Sequence, residues 1–243
     1  MDRQPKYSQY NEHSILIEWP PIIDENTLNS VLIFKNNILN HYTKLKVEVI
    51  YTYCSILVIY DFTIDNINDR FIELKSIFNT KGSVLNFESK VWEIPVCYDK
   101  EFGSDIEAYC RQKHITESEM IALHTSSIYK VYFIGFLPGF LYLGGLDSRL
   151  HLDRKNTPDL NVKKGSVAIG GKQTGIYPQD SPGGWHVIGK TPVELFNPSG
   201  QPPCLIQPGD AVKFVAIDKH TFVDIENQIS DSKFQLKTIP TDA

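Results

Sequence analysis

Residues 133–192 read FIGFLPGFLYLGGLDSRLHLDRKNTPDLNVKKGSVAIGGKQTGIYPQDSPGGWHVIGKTP, and they hold 11 of the chain's 15 glycines, set among aromatic residues. Glycine weakens helix and strand interiors and packs no side chain, so this concentration implies repeated turns at positive φ or a backbone that something approaches closely. Strand-like cores bounded by glycine, GSVAIGG at 165–171 and GGWHVIG at 183–189, alternate with turn clusters. Farther on, PGDAVKFVAID at 208–218 is a turn followed by an alternating strand, with Val212, Phe214 and Ile217 marking its inner face. Short strands punctuated by Gly and Pro predict a β-barrel or sandwich. A barrel with many tight turns accounts for the glycines by itself; a backbone that holds a ligand is the alternative.

Outward from this stretch, Trp92, Ile94 and Val96 alternate as in a strand, and a short helix is expected over 104–112. Thr116-Glu117-Ser118-Glu119 has the hydroxyl and acidic character of a helix start, with the helix running to about His124 and a strand following over 129–134. On the other side, TFVDIENQI at 221–229 reads as a last strand or a short helix, and TIPTDA at 238–243 as a frayed tail.

Before residue 89 the pattern changes. SILIEW at 14–19 is β-prone and stops at Pro20-Pro21. Leu28, Val31, Leu32, Ile38, Leu39 and Tyr42 recur at helical spacing, with an end near His41, where a solvated or capping role is expected for the histidine. KVEVIYTY and SILVIYD read as two strands joined near Tyr53-Cys54, Ile67, Phe71, Leu74 and Phe78 mark a second helix, and 84–87 a further strand. The order β-α-β-β-α-β is that of a ferredoxin-like split β-α-β unit. The expected fold class is therefore α+β, with a small N-terminal domain over 1–88 and a β-barrel domain over 89–243.

The formal net charge of −5 argues against nucleic acid as the main partner, since phosphate binding calls for a basic stripe. MDRQPKYSQYNEHS lacks the apolar centre of a signal peptide, and no run approaches a membrane span, so a cytoplasmic protein is expected. Cys54, Cys97, Cys110 and Cys204 are scattered, without a zinc-type spacing, and read as reduced thiols used as small hydrophobes.

One formal motif occurs: Gly184 to Thr191, GWHVIGKT, satisfies the phosphate-loop pattern. Its four intervening residues, Trp185, His186, Val187 and Ile188, favour an extended strand, and Pro192 follows where a helix should begin, so the match is rejected. A second cluster carries more chemistry. In GGKQTGIYPQDSPGGW, Gln173 offers an amide donor and acceptor, and Thr174, Tyr177 and Ser181 add hydroxyls on turns held by glycine and proline. These groups could grip a small amide or carboxylate, or simply satisfy one another. Arg149, Arg154, Lys155, Lys163, Lys164, Lys172 and Lys190 supply positive charge, and His124 and His186 are the histidines nearest this region in sequence.

At FIGFLPGFLYLGGLDSRL, GSVAIGGKQTGIYPQDSPGGWHVIGKTP and IQPGDAVKFV, and also at IPVCYDKEFGSDIE and IALH, the chain closely resembles the PxpB/KipI family. This family is also described as allophanate hydrolase subunit 1 and as the C and D part of a carboxyltransferase domain. The resemblance covers nearly the whole chain and is weakest over the first 85 or so residues. It implies a small α+β domain followed by a cyclophilin-like β-barrel, and the role of the PxpB component in an ATP-dependent 5-oxoprolinase acting with PxpA-like and PxpC-like partners. That reaction opens the lactam of 5-oxoproline to glutamate at the expense of ATP; phosphorylating the amide oxygen supplies a leaving group. The residues expected to line the substrate site are Gln173, Tyr177, Ser181, Trp185 and His124, with Arg154 or Lys190 near an anionic group.

This chain departs from the family pattern at Asp159, where an arginine is usual, at Lys163-Lys164, where Pro-Ala is usual, and at Lys190, which takes a usual arginine position without its bidentate fork. Two other classes follow from the same resemblance: a KipI-type inhibitor of a sensor histidine kinase, and half of a biotin-dependent carboxyltransferase whose biotin carrier would be another chain.

Overall fold

The computed structural model describes residues 4–80 and 89–239, and the chain divides into two compact units, 1–87 and 88–243. In the first unit, β1 (Lys6–Asn11) and β2 (Ser14–Glu18) form a hairpin, followed by α1 (Glu25–His41), β3 (Val47–Tyr51), β4 (Ser55–Tyr60) and α2 (Ile67–Asn79). Asp24 caps α1 by accepting from the Thr27 N–H at 3.1 Å, and Asn66 caps α2 by accepting from Asn68 and Asp69. The sheet order is β1-β2-β4-β3 with antiparallel neighbours, so β2 and β3 run parallel with β4 inserted between them, linked through α1. Ile15, Ile17, Ile56 and Val58 face one core with Trp19, Phe34 and Leu74.

The strand expected over 84–87 lies outside the described residues; among the described residues the sheet also holds β1, whose sequence KYSQYN is polar. Only Tyr7 of β1 packs against the core, so the hydrophobic alternation that announces a strand is missing there. His41 is exposed in the last turn of α1, as expected of a solvated helix end, and its Nε2 lies 3.1 Å from Glu73, which also pairs with Arg70.

The second unit contains β5 (Val91–Cys97), α3 (Ile106–Lys113), α4 (Glu117–Ser126), β6 (Ile128–Ile134), β7 (Leu141–Gly144), β8 (Asp159–Val162), β9 (Ser166–Gly170), β10 (Gln173–Ile176), β11 (Ser181–Gly183), β12 (His186–Lys190), β13 (Ala211–Ile217), α5 (Lys219–Ser230) and β14 (Thr238–Ile239). Seven of these strands close on themselves in the order β12-β9-β10-β7-β6-β13-β5, with Lys190 of β12 pairing Cys97 of β5 to complete the barrel. Closure removes the exposed sheet edges that an open antiparallel sheet would leave. The alternation is as a barrel requires: Val167 and Ile169 of β9, Leu141 and Leu143 of β7, and Val212 and Phe214 of β13 share the interior core.

Thr116 and Glu119 form a reciprocal capping box at the start of α4. The ambiguous segment 221–229 is helical: Asp218 caps it, and Phe222 and Ile225, three residues apart, are its buried positions. The tail is not wholly frayed, since Thr238 and Ile239 pair with Trp92 and Val91. Residues 184–191 hold β12 with no helix after it, as the rejection of the phosphate-loop match requires. Among the described residues, no helix is long and apolar enough to cross a membrane.

Trp185, Tyr177 and Phe140 form a second apolar layer with Ala168 on the barrel's outer side. Gly170 and Gly175 make room for it: a Cβ on Gly170 would lie 2.6 Å from the Trp185 ring, and one on Gly175 2.9 Å from the Leu141 carbonyl oxygen.

Candidate functional site

A cleft of about 860 Å³ opens between the loop 101–105, the segment 158–163 and the residues Ser166, Val187 and Lys190 of β9 and β12. One of its walls exists because β8 leaves the barrel and pairs with β11 in a separate two-stranded ribbon, Val162 opposite Ser181 and Asp159 opposite Gly183. The ribbon's approach is pinned by Lys155, whose Nζ donates to Asp105 Oδ2 at 2.8 Å and to Asp159. Burial works against the charge on Lys155, but the two carboxylates outweigh it and raise its pKa. Asp105 stands at the N-cap of α3 without making a side-chain cap bond there; its Oδ2 instead also accepts from the Val187 N–H at 2.7 Å. One carboxylate thus joins a helix start, a barrel strand and the ribbon.

Most of the cleft's other charges are matched. Glu101 pairs with Lys219, and Lys163 Nζ donates to Asp180 Oδ2 at 2.9 Å and Asn161 Oδ1 at 3.0 Å. Lys190 is different. Its Nζ lies 5.9 Å from the centre of the Phe102 ring and 5.7 Å from that of Phe222, and these rings stack at 4.5 Å. Among the described residues it has no carboxylate within 4.0 Å. A second cleft of about 530 Å³, bordered by Lys164, Thr191, Glu194 and Glu226, shares Lys190 with the first.

Of the expected site residues, Lys190 therefore enters the cleft, and the others divide. Arg154 and Trp185 meet on the barrel's outer side, and Gln173 lies on the same face. The Arg154 guanidinium, exposed, sits 5.7 Å over the Trp185 ring, which in turn meets Phe140 and Tyr142 edge-on at 5.5 and 6.0 Å. Gln173 opens β10 opposite Gly170, on the face that Trp185 covers. Ser181 is half-buried on β11, its hydroxyl 3.2 Å from the Pro182 carbonyl.

Tyr177 and His124 are corrected from site-lining to packing residues. Tyr177 is 2% exposed, and a Cβ at Gly183 would strike its hydroxyl. Burial raises the Tyr177 pKa, partly offset by a hydrogen bond with the Trp185 backbone, so the phenol holds the 183–185 turn. His124 has no exposed surface. Thr174 Oγ1 donates to the Ala168 carbonyl at 3.0 Å and so accepts from His124 Nε2–H at 2.9 Å, leaving Nδ1 to accept from the Tyr98 hydroxyl at 2.7 Å. The imidazole also stacks on Phe214 at 4.5 Å, and burial pushes its pKa down to about 3. It is a neutral core group. His186 Nε2 donates to the Asp153 carbonyl at 2.9 Å and fastens the segment that carries Arg154 and Lys155.

Phe102, Asp105 and Phe222 were not legible as site residues, since each lies far in sequence from its partners; only the family stretch at 94–107 touches two of them. The four thiols are pushed up by burial and show no activation.

The family described as carboxyltransferase domain, subdomain C and D, matches residues 5–206. The chain belongs to this family. Within the C and D subdomain family, it is 46% identical over 141 residues to the 5-oxoprolinase B component of Bacillus subtilis, covering 57% of this chain and 59% of that one. It is 48% identical over 132 residues to the protein of the same name from Haemophilus influenzae, covering 54% of this chain and 62% of that one. The chain thus spans about three fifths of the length of the curated relatives it matches. Their names agree with the PxpB/KipI resemblance. Among solved structures, Kluyveromyces lactis urea carboxylase is 20% identical with a TM-score of 0.77, covering 97% of this chain and 24% of that one, a likeness of fold alone.

Proposed function

We propose that this member of the C and D subdomain family is the PxpB component of an ATP-dependent 5-oxoprolinase, inactive alone and working in the cytoplasm with PxpA-like and PxpC-like chains. The observation that carries the reading is the identity of 45–48% to three proteins named as the B component of 5-oxoprolinase. The reading also takes 1–88 as a ferredoxin-like domain and 89–243 as a cyclophilin-like barrel domain. It is supported by the split β-α-β arrangement of β2, α1, β3 and β4 and by the closed seven-stranded barrel.

A triphosphate does not fit the residues of this chain that were candidates for it: the glycine-rich GWHVIGKT is the strand β12, and the cleft beside it carries Glu101, Asp105 and Asp159. On this reading ATP is bound in the assembled complex. What this chain contributes is substrate-facing surface: Arg154 and Gln173 over Trp185, with Ser181 near them on the ribbon, and Lys190 in the cleft. Tyr177 and His124 support these groups from behind.

The test is substitution. In Bacillus subtilis cells lacking their own B component, this chain restores consumption of 5-oxoproline. Failure to restore it, with the chain folded and co-purifying with the remaining components, overturns the reading and favours the carboxyltransferase half-site that the family description names.

A further inference from the structure

Lys190 is built into the barrel in a way that leaves its charge unspoken for. Its backbone sits where β12 meets β5, the pairing that closes the ring. Its stem runs along Gly165, where φ is +82 and a Cβ would lie 3.4 Å from Lys190 Cγ and Cε. The ammonium emerges beside the stacked Phe102 and Phe222 rings, between two clefts of about 860 and 530 Å³. Cation–π contact steadies a charge there without neutralising it.

Among the described residues, no neighbouring carboxylate makes contact with Lys190. Asp180 is near enough to feel Lys190, yet its Oδ2 accepts from Lys163 and its Oδ1 from the Lys164 N–H at 2.7 Å. Asp105 and Asp159 share Lys155, Glu101 pairs with Lys219, and Lys164 pairs with Glu194 at 2.5 Å. Glu226 borders the smaller cleft without approaching Lys190 within 4.0 Å. The larger cleft thus presents one ammonium with no carboxylate in contact, at a distance from a carboxylate pair that shares Lys155, together with Ser104 and Ser166 and apolar surface from Phe102, Val187 and Leu160.

We propose that Lys190 is a specificity-determining residue that binds the carboxylate of a small monocarboxylic acid in this cleft. The acids on the rim disfavour a polyanion such as a phosphate ester, and a single ammonium matches a single carboxylate. The proposal deepens the 5-oxoprolinase reading and rests on it for the identity of the acid, 5-oxoproline, whose ring supplies the apolar body and whose lactam offers an acceptor to a serine hydroxyl.

The experiment is amide NMR titration of the 15N-labelled full chain with 5-oxoproline, with 2-pyrrolidinone, which keeps the lactam and lacks the carboxylate, and with acetate, which keeps only the carboxylate. The expected result is saturable shifts at Ser104, Ser166 and residues 189–191 with 5-oxoproline, weaker ones with acetate at the same amides, and none there with 2-pyrrolidinone. Lys190→Met, which keeps the stem and removes the charge, should weaken 5-oxoproline binding by about 10–100-fold, the range of one charged hydrogen bond. Lys190→Arg should restore it within a few-fold, and Lys164→Gln should leave it unchanged. Equal binding by wild type and Lys190→Met, equal shifts with 2-pyrrolidinone, or no shifts near Lys190 with either acid overturns the proposal. If those results accompany restored 5-oxoproline consumption in cells, the site assignment fails and the family function stands. Acetate binding at Lys190 with no restored consumption separates the other way.

Discussion

The buried His124 makes a quantitative prediction about acid sensitivity. Its folded-state pKa is held near 3, against an ordinary value of 6.5, because the imidazole is enclosed with both nitrogens bonded. Above pH 6.5 both folded and unfolded chains are neutral at this site. As pH falls from 6.5 toward 3, the unfolded chain takes a proton that the folded chain refuses, so stability is lost over that window at about 1.4 kcal/mol per pH unit. Between pH 7 and pH 5 the loss due to His124 comes to about 2 kcal/mol. The assay is urea denaturation at the two pH values, read by tryptophan fluorescence in a Trp19→Phe background, which leaves Trp92 and Trp185, both in the second unit. His124→Gln removes the titration; it lowers stability at pH 7, but its further loss at pH 5 should be about 2 kcal/mol smaller than that of the parent. Equal losses in the two proteins, or an NMR titration of the folded His124 ring near pH 6.5, would refute the assignment of this histidine to the core.

Two further substitutions test the packing that presents the cleft and the outer face. Asp210, 8% exposed, accepts from Lys90 N–H, Trp92 Nε1–H and Gln207 N–H at 3.1, 2.9 and 2.9 Å, so Asp210→Ala strands three donors and should lower stability by about 3 kcal/mol or more, measured as the shift in denaturation midpoint. Gly170→Ala places a methyl 2.6 Å from the Trp185 indole, which should cost about 1–3 kcal/mol and red-shift Trp185 emission as the ring is pushed outward; an unchanged spectrum would contradict the close approach.

Much of the fold was readable because it rests on local regularities. The helical spacing of Val31, Ile38 and their neighbours, and the glycine-bounded strands β9 and β12, are patterns a few residues long. The strand β1 was not readable, because pairing with β2, and not a hydrophobic face, holds KYSQYN in place. The segment 221–229 was ambiguous because its apolar residues fit either period until Val223, exposed beside the buried Phe222 and Ile225, is known. The glycines illustrate how a correct inference can have an unexpected object: close approach does occur at Gly170 and Gly183, but the approaching groups are the Trp185 and Tyr177 side chains.

The site was less legible for the same physical reason. Lys190 and Arg154 stood out as cations in a glycine-rich stretch, yet what separates them from Lys155 and Lys163 is whether a carboxylate lies within reach. Asp105 reaches Lys155 and Val187 across 50 and 82 residues of chain, and Phe222 comes from a helix far beyond the stretch that drew attention. Partners of that separation are set by barrel closure, which no local pattern records. His124 shows the converse, a residue close in sequence to the candidate region and enclosed by the barrel core.

The most direct test of the central claim is the yield of ADP and glutamate from ATP and 5-oxoproline when this chain is combined with the PxpA-like and PxpC-like chains proposed as its partners. The account predicts ADP and glutamate formed together, only when all three chains are present, and insensitive to avidin. Turnover at the same rate without this chain, or an assembled complex that makes no glutamate and instead supports an avidin-sensitive carboxyl transfer, would contradict it.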